Sequence, residues 1–263
     1  MLKESEPFTP KATTLSIVNN CINQIKSDND ELIHWFDSYA KYHKKRIAFD
    51  IDLILKNLPH NTKVLEFGSV PLLFTSALSE CGYNVIGVDL APERFATTIS
   101  ELDLLVLKCD IEKEKLPFDD NSFNAIIFNE LFEHLRINPN FTMKEVFRIL
   151  KPNGKLFLSS PNLKSLDGIL NYLIKDQAYS CSGDIYNEYE KLDKLGHMGH
   201  VREYTKTEVI NYFKKIGFVI DKLIYRGELS SKKRNLIARF RPSLRPFITY
   251  VMRKPNKATN PLT

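Results

Sequence analysis

The chain has 263 residues, of which 43% are hydrophobic and 26% are charged, and its formal net charge is +5. That length suits one large α/β domain or two small ones, and the composition is that of an ordinary globular protein. No apolar run reaches the roughly 18 residues of a membrane helix, and the N-terminus lacks a signal-peptide core, so we expect a cytoplasmic protein. The four widely spaced cysteines predict reduced thiols, not a zinc site or disulfides.

Positive charge is concentrated near the C-terminus. From Lys222 to Thr263 there are eleven Lys and Arg residues and one acid, Glu228, so this segment carries +10 and the remainder −5. Such a basic tail suits contact with an anionic surface, and it equally suits a solvated tail. It has no recognised nucleic-acid motif, so we do not expect a nucleic-acid partner.

Residues 1–58 are predicted to form an N-terminal helical cap. Apolar side chains recur at three- and four-residue spacings between residues 12 and 58. Asp28 or Asp30 is expected to cap the second helix, and Pro59 is expected to end it.

Residues 59–162 alternate short apolar strands with helices. The expected strands are 63–67, 84–89, 102–110, 123–130 and one after a turn at 151–154, and the expected helices start near Pro71, Pro92 and Met143. Near-continuous apolar strands are buried on both faces, which predicts a parallel sheet covered by helices in a doubly wound α/β core.

Residues 163–202 interrupt this alternation and are rich in Tyr, Asp, Lys and Gly, so we expect an inserted lid or substrate region. The core is expected to end over residues 203–256. Thr205 and Glu208 form a capping-box pattern at the start of a helix that Gly217 ends. The remaining expected elements are a strand at 218–225, a basic loop, a last strand at 247–252 and a tail at 257–263.

Polar residues stand where the predicted strands end, and ligands of doubly wound sheets bind at that edge. These residues are Glu66, Asp89, Asp110 and the pair Asn129 and Glu130. Asp89 follows Gly68 by 21 residues, a spacing typical of an acid that accepts hydrogen bonds from ribose hydroxyls. Asp110 is positioned to accept one from an adenine amine. No phosphate-binding loop is present and Val70 is bulky, so the pattern favours a nucleoside without phosphates.

At residues 60–225 the sequence resembles the class I S-adenosylmethionine (SAM)-dependent methyltransferases, in the small-molecule O-methyltransferase branch of the ubiquinone-biosynthesis type. The resemblance is carried by VLEFGSVP, GVDLAPER, KCDIEKEKLPFDDNSFNAIIFNELFEHL, VFRILKPNGKLFLSSPN and HVREYTKTEVINYFKKIGF. It implies a Rossmann-like, mostly parallel seven-stranded sheet with an antiparallel last strand. It also implies SAM as the cofactor.

The resemblance also implies roles for individual residues. The residues assigned to the cofactor are Glu66, Gly68 and Ser69 in the first motif, Asp89 and Leu90 at the ribose, Asp110 and Ile111 at the adenine, and Asn129 near the methyl group. Glu130 would face the methyl group and the substrate. In related enzymes an N-terminal helix covers the cofactor, so Tyr42, His43 and Arg46 could reach the SAM carboxylate. The alternative is an exposed basic helix face.

The first motif departs from the family pattern. Val70 and Leu72 stand where the family has glycines, and Pro71 removes one N–H donor while remaining acceptable in the first turn of a helix. Gly68 retains the freedom to adopt a positive φ. Two outcomes stay open: retained SAM binding with an altered pose or weaker affinity, and an inactive relative that serves as a binding or scaffold protein.

The segment NELFEHL is predicted to place Glu130, Glu133 and His134 on adjacent helix positions. His134 resembles the histidine of the family's EHL segment and, with an ordinary pKa near 6.5, suits a general base. The alternative is a histidine that packs or caps the helix. Glu130 and His134 have a metal-binding spacing, but no third ligand is evident nearby, so no metal is expected.

The segment GHMGHVREY offers His197 and His200 beside the expected lid. They could contact the substrate or supply the base, and the alternative is a polar hinge around Gly196 and Gly199.

The function favoured by the sequence is O-methylation of a small polar metabolite or of a glycan sugar. Methylation of a nitrogen or carbon atom and an inactive scaffold remain the alternatives. Adenine-directed nucleic-acid methyltransferases usually carry a Pro-Pro tetrapeptide after the fourth strand, where this chain has NELF. The sequence leaves the oligomeric state undetermined.

Overall fold

The computed structural model describes residues 9–195 and 199–256. Its helices are α1 (Ala12–Ile22), α2 (Asp30–Asn57), α3 (Leu73–Glu80), α4 (Ala96–Glu101), α5 (Pro139–Ile149), α6 (Leu166–Lys175), α7 (Ile185–Leu195), α8 (Lys206–Ile216) and α9 (Lys232–Phe240). Its strands are β1 (Lys63–Phe67), β2 (Asn84–Asp89), β3 (Leu105–Lys108), β4 (Phe123–Asn129), β5 (Leu150–Pro161), β6 (Val219–Arg226) and β7 (Phe247–Arg253). Short 3₁₀ helices cover Pro92–Phe95, Phe132–His134 and Pro242–Leu244.

The strands form one seven-stranded sheet in the order β3-β2-β1-β4-β5-β7-β6. β1 pairs in parallel with β2 and β4, and β2 pairs in parallel with β3. β7 runs antiparallel to both β5 and β6. The predicted mostly parallel sheet with an antiparallel last strand is therefore confirmed.

Backbone contacts divide the chain into two compact units. The first unit comprises residues 9–127 and 149–154, and the second comprises residues 128–148 and the described residues from 155 onward. In the first unit, β1 and β4 supply fully buried apolar side chains such as Leu65 and Ile126. In the second unit, Leu158 of β5 and Met252 of β7 are likewise fully buried. Central strands with no polar face form because helices cover both sides of the sheet.

The first helices belong to the first unit, where α1 and α2 pack against each other and against α3. The Asp52 carboxylate on α2 accepts hydrogen bonds from Lys11 N at 2.7 Å and Thr14 Oγ1 at 2.5 Å. The prediction that Asp28 or Asp30 caps α2 is wrong. Asn29 is the cap, because its side chain accepts hydrogen bonds from the free N–H groups of the first turn.

Several predicted boundaries need correction. α3 begins at Leu73, two residues beyond Pro71, so Pro71 is not a first-turn residue. The segment Ser69–Leu72 is instead a turn, closed by a 2.6 Å hydrogen bond from Leu72 N to Ser69 O. The strand expected at 102–110 is confined to Leu105–Lys108.

The C-terminal half differs from expectation in three places. α5 starts at Pro139, earlier than expected, and β5 includes the residues 151–154 that were expected to form a turn. The expected basic loop before β7 contains α9, whose start is capped by the Ser231 side chain. The helix at α8 is confirmed with its capping box between Thr205 and Glu208 and its left-handed end at Gly217.

Two further sequence expectations bear on the chain's environment. Among the described residues, no helix has the length and apolar character needed to span a membrane. The four cysteines are free thiols, as the sequence predicted. Residues 257–263, expected to be a tail, lie outside the described residues.

Glu66, near the end of β1, is a buried acidic residue. Glu66 is 6% exposed and accepts a short hydrogen bond from the Thr75 hydroxyl on α3. Burial raises the pKa of Glu66 to about 8, and the nearby Asp89 carboxylate adds to the rise. Glu66 is therefore protonated at neutral pH, because a buried carboxylate loses its hydration.

We predict that this group makes stability depend on pH. The unfolded chain ionises Glu66 near pH 4.3, whereas the folded chain ionises it near pH 8, so the free energy of unfolding falls as pH rises between these values. Glu66→Gln copies the protonated form and should remove this term. Chemical denaturation of the cofactor-free protein at pH 5 to 9 measures this effect. The free energy of unfolding of the variant, relative to that of the wild type, should rise with pH up to about pH 8.

Glu80→Gln serves as the control, because Glu80 is an exposed acid at the end of α3, the helix that carries Thr75. Its denaturation profile should run parallel to that of the wild type. If Glu66→Gln also runs parallel, Glu66 does not carry the buried proton.

Candidate functional site

The loop after β1 is bound to β2 by its own backbone. Gly68 N donates to Val88 O at 2.9 Å, and Ser69 N donates to the same oxygen at 3.3 Å. Gly68 adopts φ 68°, a conformation that glycine reaches without steric cost. Because both N–H groups are already satisfied within the protein, neither is left to bind a phosphate. This supports the expectation of a nucleoside ligand without phosphates at this edge.

Asp89 ends β2 and points back at this loop. Its carboxylate accepts hydrogen bonds from Val70 N and from Ala91 N, each at 3.0 Å. Burial raises the pKa of Asp89, while these backbone N–H donors and Arg94 oppose the rise. A carboxylate has about four acceptor positions, and the backbone N–H groups of Val70, Leu90 and Ala91 already use part of this capacity.

The end of β3 lies beside the end of β2. Cys109 N donates to Asp89 O at 2.9 Å, which brings Asp110 and Ile111 next to this part of the edge. The Asp110 carboxylate accepts a hydrogen bond from Glu112 N at 3.1 Å and pairs with Lys113 at 3.0 Å. Leu90 is 39% exposed just beyond Asp89, an apolar surface suited to a nucleoside.

Two residues assigned to the cofactor have buried side chains. Ser69 is 2% exposed and packs against Gly87, where an added Cβ would lie 2.8 Å from the Ser69 Oγ. Glu66 is held by Thr75. The Ser69 side chain is therefore not exposed to a ligand, and the Glu66 carboxyl is bound to α3 through Thr75.

Arg46 belongs to a row of side chains along one side of α2. Its Nη2 donates to the Tyr39 hydroxyl at 3.4 Å, and the ring centroids of Tyr39 and His43 are 4.6 Å apart. The row continues through Trp35, whose ring lies 6.5 Å from that of Phe95 in the segment after Asp89. Tyr42, by contrast, is 72% exposed.

In the second unit, Glu130 follows β4 and pairs with an arginine. It has φ 51°, and its backbone N donates to Ser159 O at 2.9 Å. Arg226 is fully buried, and its Nη2 lies 3.3 Å from Glu130 Oε1 while its Nε donates to Thr249 Oγ1 at 2.6 Å. Asn129, the residue before it, is half-buried at the end of the strand.

The predicted helical placement of Glu130, Glu133 and His134 is wrong. Glu130 and Leu131 precede the short 3₁₀ helix Phe132–His134, so Glu130 and His134 do not share a helix face. The left-handed backbone at Glu130 breaks the chain direction between them. Glu130 and His134 therefore lack the helical i,i+4 geometry that the sequence suggested for a metal pair.

A different cluster forms around His134. Its ring centroid lies 4.6 Å from that of His200, with the rings nearly perpendicular at 84°. His200 Nε2 is 3.8 Å from Glu133 Oε1, and the Glu133 side chain is fully buried. The segment after His200 is anchored here, because Val201 N donates to Glu133 O at 2.9 Å.

Glu133, His134 and His200 each offer a ligand atom, and these atoms lie within 4.8 Å of one another. Burial, with the nearby His134 ring as a second cause, lowers the pKa of His200 to about 4. His200 is therefore neutral at neutral pH, the form of imidazole that binds a cation. Sequence inspection missed this set, because His200 stands far from the EHL segment in the chain.

The predicted residues thus fall into two groups. Residues assigned to the cofactor gather at the ends of β1, β2 and β3 in the first unit, except Arg46, which lies on α2, and Asn129, which lies in the second unit. Three of the four catalytic candidates, Glu130, His134 and His200, lie in the second unit. The fourth, His197, lies outside the described residues.

Comparison with known proteins gives an independent view of these motifs. The ubiquinone biosynthesis O-methyltransferase of Rattus norvegicus is 26% identical over 165 residues, which cover 54% of this chain and 47% of that protein. The enzyme of the same name from a Xanthomonas oryzae strain is 30% identical over 106 residues, covering 38% of this chain and 43% of that protein. The chain spans about half the length of the curated relatives it matches.

Solved structures share the fold at low identity. A methyltransferase in complex with the Haloferax volcanii Trm112 activator aligns with a TM-score of 0.58 and 19% identity over 87% of this chain and 100% of that one. A SAM-dependent methyltransferase from Mesorhizobium loti aligns with a TM-score of 0.53 and 16% identity over 77% of this chain and 96% of that one.

The model of the methyltransferase domain family matches residues 39–223, from the middle of α2 to β6. The matched range includes the glycine turn, Asp89, Asp110 and the EHL segment. The predicted family resemblance is confirmed, and SAM is the cofactor that it implies. The chain belongs to the methyltransferase domain family, with the fold of the class I SAM-dependent methyltransferases.

Proposed function

We propose that this chain transfers the methyl group of SAM to a hydroxyl oxygen of a small polar acceptor. The observation that carries the proposal is Asp89, a half-buried carboxylate at the carboxyl end of β2 that accepts a hydrogen bond from Val70 N in the glycine turn. The O-methyltransferase names of the curated relatives support oxygen as the methylated atom. Methylation of nitrogen or carbon remains the alternative.

The first unit fits the nucleoside part of SAM. Asp89 would accept hydrogen bonds from the ribose hydroxyls, Leu90 and Ile111 would cover the adenine faces, and Asp110 would accept from the adenine amine. SAM carries no phosphate, so it does not need the Gly68 and Ser69 N–H groups, which already donate to Val88 O. Arg46 is our candidate for the SAM carboxylate, because a guanidinium binds carboxylates well.

In the methyl transfer, the acceptor oxygen forms a bond to the methyl carbon as the bond from that carbon to the sulfonium sulfur breaks. S-adenosylhomocysteine leaves and the hydroxyl proton must be removed. We assign that proton to the His134 imidazole, which accepts it as a general base. Glu130 lies 3.3 Å from Arg226, and this ion pair holds its carboxylate where it can help to place the acceptor.

The Glu133, His134 and His200 cluster favours a second way to assist the same proton loss. Its separations, up to 4.8 Å, leave room for a divalent cation between two imidazoles and a carboxylate. The 3.8 Å gap between His200 and Glu133 exceeds a hydrogen bond, so Glu133 does not orient His200 as in a catalytic dyad. A bound cation would lower the pKa of an acceptor hydroxyl.

We predict that Asp89→Ala weakens SAM binding by roughly tenfold to a hundredfold, because the ribose hydroxyls lose a charged acceptor. Isothermal titration with SAM measures the change. Asp119→Ala, which removes an exposed acid in the same unit, should bind like the wild type. A folded Asp89→Ala protein with unchanged affinity would remove Asp89 from the ribose site. No detectable binding by the wild type would instead favour the scaffold alternative.

A second prediction concerns the histidine cluster. His134→Ala should leave SAM affinity unchanged and reduce methyl transfer to hydroxyl acceptors by roughly a hundredfold or more. His200→Ala should cause a loss of the same size only if a cation assists the proton loss. Acceptors are found by screening phenols, catechols and sugars with radiolabelled SAM. His34→Ala, which removes an exposed histidine on α2, is the control.

The role of a cation is separated from that of a base by chelation. If a cation assists, treatment with EDTA abolishes turnover and Mg²⁺ or Mn²⁺ restores it. In that case His134→Ala and His200→Ala should also lose the Mn²⁺ binding that titration of the wild type detects. If His134 acts alone as the base, EDTA has no effect and His200→Ala retains most activity. Full activity of His134→Ala would contradict both assignments.

A further inference from the structure

Helix α9 carries its apolar residues on the side that faces away from the protein. Leu236, Ile237 and Phe240 are 57%, 48% and 79% exposed, and the only fully buried residue of the helix is Ala238. A helix that merely packs on its own domain buries such residues. These three side chains are therefore unexplained by the fold of the second unit, to which α9 belongs.

Cations flank the exposed apolar residues. Lys232 lies four residues before Leu236, and Lys233 lies four residues before Ile237, so each lysine adjoins an apolar residue on the helix surface. Arg239 is also exposed. The helix sequence KKRNLIARF contains no acid, and the chain from Lys222 onward has only Glu228. The outer face of α9 thus combines aliphatic and aromatic side chains with positive charge.

The inner face of α9 is fixed to the protein. The Asn235 side chain donates to Leu229 O at 2.9 Å and accepts from Leu229 N at 2.8 Å. Arg234 Nη1 pairs at 2.6 Å with Asp167, which is buried in the first turn of α6, and Ser230 N donates to the same carboxylate at 2.8 Å. This network presents the outer face as part of a folded unit, so its exposure does not arise from a frayed end.

We propose that the outer face of α9, formed by Lys232, Lys233, Leu236, Ile237, Arg239 and Phe240, docks on lipid bilayers that bear anionic headgroups. Side chains such as Leu236 and Phe240 enter the boundary between headgroups and acyl chains, while the flanking cations meet the headgroup charges. Nucleic acid would use the cations and leave the aliphatic side chains in water, whereas a bilayer surface satisfies both. The proposal uses none of the residues assigned to methyl transfer and does not depend on that function.

The test measures co-sedimentation of the full chain with vesicles of phosphatidylcholine alone and of phosphatidylcholine with phosphatidylglycerol. The wild type should bind the mixed vesicles, bind neutral vesicles at least about tenfold more weakly, and lose affinity as salt rises. Leu236→Ser/Phe240→Ser and Lys232→Glu/Lys233→Glu should each weaken binding by roughly tenfold or more. All four positions are exposed, so both variants should keep the wild-type melting temperature and SAM affinity.

Lys214→Glu/Lys215→Glu is the matched control, because it reverses the charge of an exposed lysine pair at the end of α8. It should bind vesicles like the wild type. Equal binding to neutral and anionic vesicles, no binding to either, or wild-type binding by the α9 variants would overturn the proposal. A lipid-free dimer that Leu236→Ser/Phe240→Ser converts to monomers would show that a second copy covers this face. Salt-sensitive binding to single-stranded DNA without vesicle binding would favour nucleic acid.

Discussion

The Val88 carbonyl is the constraint on which the loop after β1 depends. It accepts hydrogen bonds from both Gly68 and Ser69, and so ties the end of β1 to the end of β2. The chain turns at Gly68 with a positive φ of 68°, a conformation that glycine adopts without steric cost, and two successive N–H groups donate to one oxygen there. That turn then exposes Val70 N to the Asp89 carboxylate. This loop has only one glycine, and its backbone is held by hydrogen bonds to the Val88 carbonyl and to the Asp89 carboxylate.

The second unit relies on a buried arginine. Arg226 is fully buried, and a charge in that position needs partners because its desolvation is costly. Thr249 supplies a neutral acceptor and Glu130 supplies the opposite charge. This pairing fixes Glu130, which stands three residues before Glu133 in the chain. The backbone carbonyl of Glu133 accepts a hydrogen bond from Val201 N, and this bond anchors the segment that bears His200. The charged pair and the histidine cluster are therefore parts of one local arrangement.

Much of the first unit could be predicted from sequence, because its signals are local. Apolar runs bounded by turns located β1, β2 and β4 to within about a residue, and thereby placed Gly68 and Asp89 at the ends of neighbouring strands. Predictions failed where a local signal had competitors. Asn29, not the neighbouring Asp28 or Asp30, is the N-cap residue of α2. Pro71 lies in the turn before α3, although its fixed φ would also suit the first turn of a helix. A charged stretch taken for a loop formed α9, because Ser231 caps it and Asn235 binds its inner side.

The sequence by itself determined the family, the parallel sheet and the residues at the ends of its strands, since these follow from hydrophobic periodicity and from motifs whose members are neighbours in the chain. Only the tertiary structure decided that Glu130 meets Arg226 and that His134 meets His200 next to Glu133. Glu130 and Arg226 are 96 residues apart in the chain, and His134 and His200 are likewise far apart, so their contacts depend on strand order and on the hydrogen bond from Val201 N to Glu133 O. The exposure of Leu236, Ile237 and Phe240 was likewise decided by packing, because a helix sequence shows its apolar residues but not which side its protein covers.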